Sequence, residues 1–236
     1  MASPLPALQI ASLFLPGDPG SGIALNAPAL NKLHICARKK VRLVECHALK
    51  SLSLQGLLDW AGIMLSLLDC SEIERLSIVG VTGAEFTSPE KPIPTSIALP
   101  ALKELELNSE LGDLQFLARL EVPQLQTLTF KCYSSPVPFT LPPSASSLVT
   151  LRFTTGSRIN AIRRAVAAQP LFQQLTVEID ASAAYRPKHA PRNDFEQVKS
   201  DRSWLERHAR IKWIGQESVP SHLFQTWEAA HGLVPL

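Results

Sequence analysis

The stretch LPALKELELNSELGDLQFLARLEVPQLQTLTF, residues 99–130, contains one apolar phrase twice. The phrase is L-x-x-L-x-L, read as Leu102, Leu105 and Leu107 and again, 23 residues later, as Leu125, Leu128 and Phe130. A proline, Pro100 and then Pro123, stands two residues before each first anchor. Apolar residues two apart on a strand share a face, so the second and third anchors define one buried side of a short strand and the first turns inward where the strand begins.

Sliding the phrase along the chain finds further copies. Toward the N-terminus lie Ile73, Leu76, Ile78; Leu49, Leu52, Leu54; Leu30, Leu33, Ile35; and a weaker Leu8, Ala11, Leu13. Toward the C-terminus lie Leu148, Leu151, Phe153 and Phe172, Leu175, Val177. The first anchors are 22, 19, 24, 29, 23, 23 and 24 residues apart, the near-constant period of a leucine-rich repeat. Three anchors, each worth roughly 1.5–3 kcal/mol when buried, fall short of the entropy of ordering a repeat at about 1–2 kcal/mol per residue. Each copy therefore needs a stacked neighbour. Three residues before the first anchors stand Leu5, Ala27, Cys46, Cys70, Leu99, Val122, Ala145 and Gln169, mostly small or apolar, which assigns Cys46 and Cys70 to the core. The predicted fold is α/β: a leucine-rich repeat solenoid over 1–180, with a curved parallel sheet and with helices and extended returns on its convex side. An α-rich capping segment over 181–236 covers its last open face.

At 236 residues and 45% hydrophobic content the chain can bury a continuous core. Its 23 basic and 21 acidic residues are nearly balanced, so bulk charge does not point to nucleic acid or membrane. Four cysteines without recurring spacing form no secreted disulfide framework. The run LPALQIASLFL lacks a preceding Lys or Arg and is interrupted by Pro6 and Gln9, unlike a signal peptide. A cytoplasmic or nuclear setting is expected.

The returns vary. PGDPGSG (16–22) reads as a loop, since no Gly-Lys-Ser/Thr follows, and RKKVR (38–42) as a solvated basic cluster. Leu57, Ala61, Met64, Leu65 and Leu68 have helical spacing, as do Leu111, Leu114, Leu117 and Leu120. The segment 134–147 is too proline-rich for a helix. Ser157 can cap a helix carrying Ile159, Ile162, Val166 and Ala167, with Arg158, Arg163 and Arg164 facing solvent. Beyond Asp180 come a linker, a helix over 194–208 with Phe195, Val198 and Leu205 on one side, a strand over 211–214, and a last helix around Trp227.

Few constellations carry chemistry. His34, Cys36, Cys46 and His47 resemble zinc ligands in type. His34 and Cys36 face away from the core side that holds Cys46, however, so the four do not converge on one tetrahedral site. No nucleophile elbow, His-Glu-x-x-His helix or phosphate loop is present, and Glu104 and Glu106 read as partners of nearby cations rather than as a catalytic pair. No enzyme, metal or cofactor is predicted. Outward positions of the repeats form three rows on the concave face. The first runs Lys32, Ser51, Arg75, Glu104, Thr127, Thr150, Gln174. The second runs His34, Ser53, Ser77, Glu106, Thr129, Arg152, Thr176. The third runs Cys36, Gln55, Val79, Asn108, Lys131, Thr154, Glu178. From these, Arg75, Ser77, Glu104, Glu106, Thr129, Lys131 and Arg152 are the candidate partner-binding residues. The alternative is nucleic-acid or phosphate binding by residues 186–212. That segment sets eight Lys/Arg against four Asp/Glu, with Tyr185, Trp204 and Trp213 in and around it.

With Pro-x-Leu opening each strand and a leucine at every third residue between, residues 99–130 resemble the leucine-rich region of F-box-like proteins from mushroom-forming fungi. The similarity spans roughly Leu30 to Val177. What it implies is the substrate-recognition half of a ubiquitin-ligase subunit, a non-enzymatic protein-protein interaction module without cofactor. Such proteins carry the adaptor-binding F-box ahead of the repeats, whereas here the first copy begins almost at Met1. No adaptor-binding residue is carried over, and a Skp-type adaptor is expected only if an F-box lies upstream. Without one, the expectation is a free-standing repeat protein.

Overall fold

The computed structural model describes residues 9–15, 23–26, 28–37, 41–58, 63–64, 67–81, 95–108, 114–131, 133, 139–154, 157–180 and 192–215. Among them the strands are β1 (Ile10–Leu15), β2 (Ile23–Asn26), β3 (Lys32–Ala37), β4 (Val41–Val44), β5 (Ser51–Leu58), β6 (Arg75–Val81), β7 (Ile97–Ala98), β8 (Glu104–Asn108), β9 (Leu120–Glu121), β10 (Thr127–Lys131), β11 (Thr150–Phe153), β12 (Thr176–Asp180) and β13 (Arg210–Ile214). Two α-helices are α1 (Ile159–Ala168) and α2 (Arg192–His208). The fold is α/β and is built on one nine-stranded sheet in the order β1-β3-β5-β6-β8-β10-β11-β12-β13, parallel throughout. Successive strands of that sheet are neighbours, so each pair is joined by one crossover. Consecutive crossovers also pair with each other, β2 with β4 and β7 with β9.

A recurring backbone device sets the register. At the start of each of six strands, one carbonyl accepts two successive N–H groups from the next strand. Gln9 O accepts from Asn31 and Lys32, Asn31 O from Lys50 and Ser51, Lys50 O from Glu74 and Arg75, and so on to Gln126 O with Val149 and Thr150. A turn bond just upstream, such as Leu102 N–H to Leu99 O or Leu125 N–H to Val122 O, swings the first anchor inward. Two columns of apolar side chains follow. One runs Leu33, Leu52, Leu76, Leu105, Leu128, Leu151, and the other Ile35, Leu54, Ile78, Leu107, Phe130, Phe153. All twelve are buried, as are Cys46 and Cys70. Burial pushes the Cys70 thiol up to about 12, with Cys46 and Asp69 adding to the effect.

The last copy departs from the expected pattern. Thr176 lies opposite Thr150, Val177 opposite Leu151 and Ile179 opposite Phe153. The turn bond here joins Leu175 N–H to Phe172 O, and only Thr176 N–H reaches back to Val149 O. One residue is missing between the first and second anchors. The phrase on the sheet is therefore Leu175, Val177, Ile179, and Gln174 lies in a 3-10 turn over Pro170–Gln174. The sheet then continues through β13, which sets Ile211 against Val177 and Trp213 against Ile179.

Several returns differ from their predicted form. Leu57 belongs to β5, while Ile63, Met64 and Leu67 are helical and buried and Leu68 is exposed. Ala61 and Leu65 lie outside the described residues, as do 16–22, 38–40, Leu111 and the predicted last helix. The segment bearing Leu114, Leu117 and Leu120 is a 3-10 turn over Gln115–Arg119, because threefold spacing suits 3.0 residues per turn as well as 3.6. In the proline-rich return, Phe139 and Leu141 reach the core. Phe130, Tyr133, Phe139, Phe153 and Phe172 form one aromatic cluster with centroid distances of 4.3 to 5.7 Å. The Ser157 hydroxyl does not cap α1: it accepts the Tyr133 N–H at 3.0 Å, and α1 has no side-chain N-cap bond. Ala167 is exposed, the apolar side being completed by Ala161 and Ala165. Arg163 does not simply face solvent. Its guanidinium pairs at 2.5 Å with Asp201, which is 2% exposed, and so ties α1 to α2.

Gly56 sits where the register of β5 against β6 shifts, with φ at 122°. A Cβ there would stand 1.9 Å from the Ala37 carbonyl oxygen. Gly56→Ala is expected to lower the unfolding free energy by at least about 1–3 kcal/mol, measured by urea denaturation.

Candidate functional site

Alternation along each strand decides which side chains leave the core. Even-numbered β8 residues and odd-numbered β10 residues lie on the side opposite the anchor columns, and the same alternation holds in every strand of the sheet. The result is one polar face. Across β5 to β11 it holds an open depression of about 440 Å3, lined by Ser51, Ser53, Arg75, Ser77, Glu104, Glu106, Thr127, Thr129, Arg152 and Thr154, with Leu52, Leu76 and Leu105 at its floor. Six of the seven predicted binding residues line it. The seventh, Lys131, reaches in through its ammonium, 2.8 Å from Glu106 Oε1.

The charges on this face are arranged in two ways. Near β6 and β8 they are loosely held: Arg75 Nε is 3.7 Å from Glu104 Oε1, and the two side chains are 68% and 60% exposed. Toward β12 they are locked. Glu178, whose side chain is 9% exposed, accepts Arg152 Nε at 2.7 Å and Arg152 Nη2 at 2.6 Å on one oxygen, and Lys212 Nζ at 2.8 Å on the other. The Lys212 hydrogen bond, with help from Arg152, holds the Glu178 carboxyl below its ordinary value of 4.5 against the opposing effect of burial. Glu106 is also lowered. Burial would raise it, but the bonds from Lys131 and from Ser77 Oγ, at 2.7 Å, outweigh that. Glu106 thus stands as an ionised acceptor within a network.

The shorter last copy changes the rows. Thr176 belongs to the first row beside Thr150, and Glu178 to the second beside Arg152; Gln174 is off the sheet. Reading Phe172 as the first anchor hid the Arg152–Glu178 pair. The alternation Leu175, Val177, Ile179 was the signal that could have found it. Lys212 was missed because its strand was read apart from the sheet.

Other candidates are held in separate places. His34 Nδ1 lies 3.0 Å from Ser53 Oγ on the polar face, whereas the Cys46 thiol is buried and directed at the Val44 and Leu25 carbonyls. Among the described residues no three His, Cys, Asp or Glu side chains group as metal ligands. The aromatic faces expected to serve a nucleic acid have intramolecular partners. Arg163 lies over Trp204 at 5.3 Å, and His208 stacks on the same ring at 4.3 Å. Arg202 lies over Trp213 at 4.8 Å, and the Trp213 indole N–H bonds to Glu206. No helix among the described residues is long and apolar enough to cross a membrane. No family model, curated protein or solved structure matches the chain.

A carboxyl whose folded pKa is depressed contributes stability that is complete above its unfolded value and is lost as pH falls through the folded one. Glu178 and Glu106 both have this sign. The urea midpoint is expected to decline as pH falls below 4.5, the ordinary value, and Glu178→Gln should flatten that decline. At neutral pH the same substitution is expected to cost about 1–3 kcal/mol.

Proposed function

We propose that the chain is a leucine-rich repeat solenoid that binds another protein through the polar face of its sheet, without catalysis and without a cofactor. The resemblance to the recognition region of F-box-like proteins gives the reading its setting: the bound protein is one presented to a ubiquitin ligase, in the cytoplasm or nucleus. The observation that carries the proposal is the exposed Arg75–Glu104 pair lining the depression. An exposed pair of this kind contributes about 0–1 kcal/mol to stability, so both charges can exchange each other for a partner at little loss. The hydroxyls of Ser51 and Thr127 beside them offer donors and acceptors in either sense. Arg152 and Glu106 play a different part. Their charges are committed to Glu178, Lys131 and Ser77, and they shape the surface more than they contact the partner.

The test is affinity purification of the tagged chain from its native cells, followed by mass spectrometry. Arg75→Glu and Glu104→Lys are each expected to weaken capture of the partner by about tenfold, roughly 1.4 kcal/mol, with the melting temperature unchanged. The charge-swapped double variant keeps an internal pair but presents it reversed, and it is expected to bind no better than the single variants. Full binding by all three would place the contact elsewhere. Recovery of a Skp-type adaptor and a cullin with the partner supports the ligase setting. Recovery of other proteins without them makes this a free-standing binding module.

A further inference from the structure

The two edges of the nine-stranded sheet are chemically unlike. β13 carries Arg210 and Lys212, charges of the kind that discourage edge-to-edge pairing. β1, with sequence IASLFL, carries no charge. Ile10 and Phe14 stand on its polar-face side, 67% and 73% exposed. Its other side, Ala11, Leu13 and Leu15, packs on the core but is only partly buried. An extended segment that is apolar on both faces would complement this edge.

We propose that the occupant is β1 of a second copy, paired antiparallel about a two-fold axis at Ser12. The backbone sets the register. The Gln9 carbonyl accepts the Asn31 and Lys32 N–H groups and therefore points toward β3. Backbone groups alternate in direction along a strand, so those of Ile10, Ser12 and Phe14 point away from the sheet. Setting Ser12 against Ser12 of the second copy makes it a hydrogen-bonded pair. The same register sets Ile10 against Phe14 in two further such pairs, for about six interchain bonds in all. Four of the five apolar residues of β1 then meet an apolar neighbour of their own face, Ile10 with Phe14 on the polar-face side and Ala11 with Leu13 on the core side, while Leu15 falls opposite Gln9. Self-complementarity of this kind defines an isologous interface, which closes at two copies. The charged β13 edge offers no second site for growth.

Sedimentation of the full chain across the micromolar range tests this. The expected mass is twice 25.8 kDa, falling to that of one chain in Phe14→Lys and in Ser12→Pro. The proline removes only an N–H that points away from β3, so it leaves the internal ladder intact. Both variants are expected to keep the far-ultraviolet circular dichroism of the parent. Amide exchange adds a local readout: the N–H groups of Ile10, Ser12 and Phe14 should be protected in the parent and exchange freely in Phe14→Lys. A parent that stays monomeric overturns the proposal and leaves the edge to an apolar strand of another protein. A dimer that survives both substitutions, or an assembly larger than two, overturns it as well.

Discussion

One carbonyl accepting two N–H groups at the start of the next strand is the constraint on which the rest of the molecule depends. Repeated six times from Gln9 to Gln126, it holds seven successive strands at one register. A slip of a single residue would turn every anchor outward. With the register held, leucine stands beside leucine in columns, and the opposite side of the same strands becomes a continuous polar surface. Core and candidate site are two results of one alternation.

The polar face shows what the parallel stack makes available. Charges on neighbouring strands are brought within bonding distance, so the surface can neutralise its own groups. It does so fully around Glu178, where both carboxylate oxygens are engaged by cations from adjacent strands. It does so only weakly around Glu104. Affinity for a partner depends on the loosely paired end, because a group already satisfied at home gains little from a new contact.

Much of this could be read from the residues. Between β3 and β11 two residues always separate the first and second anchors, so sliding one phrase located the strands and placed all seven candidate residues on the polar face. The phrase failed at Phe172-x-x-Leu175-x-Val177, where three apolar residues matched the pattern although the strand had lost a position. A periodicity test does not see a deletion when a neighbouring turn supplies another apolar residue. Leucine at every third residue likewise did not separate an α-helix from the 3-10 turn at Gln115–Arg119. Contacts set by tertiary packing were not legible at all. Ser157 bonds to a backbone N–H 24 positions away, and Arg163 pairs with a carboxylate 38 positions away. The aromatic cluster draws Phe139 from a segment whose prolines announce only that it is not a helix, and Tyr133 from the position just ahead of it.

The strand order also bears on how the chain reaches this structure. Paired residues on neighbouring strands of the sheet are never far apart along the chain: Lys32 and Ser51 are the nearest in sequence, Thr176 and Arg210 the farthest. The entropy of closing a loop grows only with the logarithm of its length, so these extremes differ by about 0.5 kcal/mol. No pairing has to wait for distant ends of the chain to meet. Ordering can begin at any adjacent pair of strands and spread outward in both directions, with a nearly equal entropic barrier at each step.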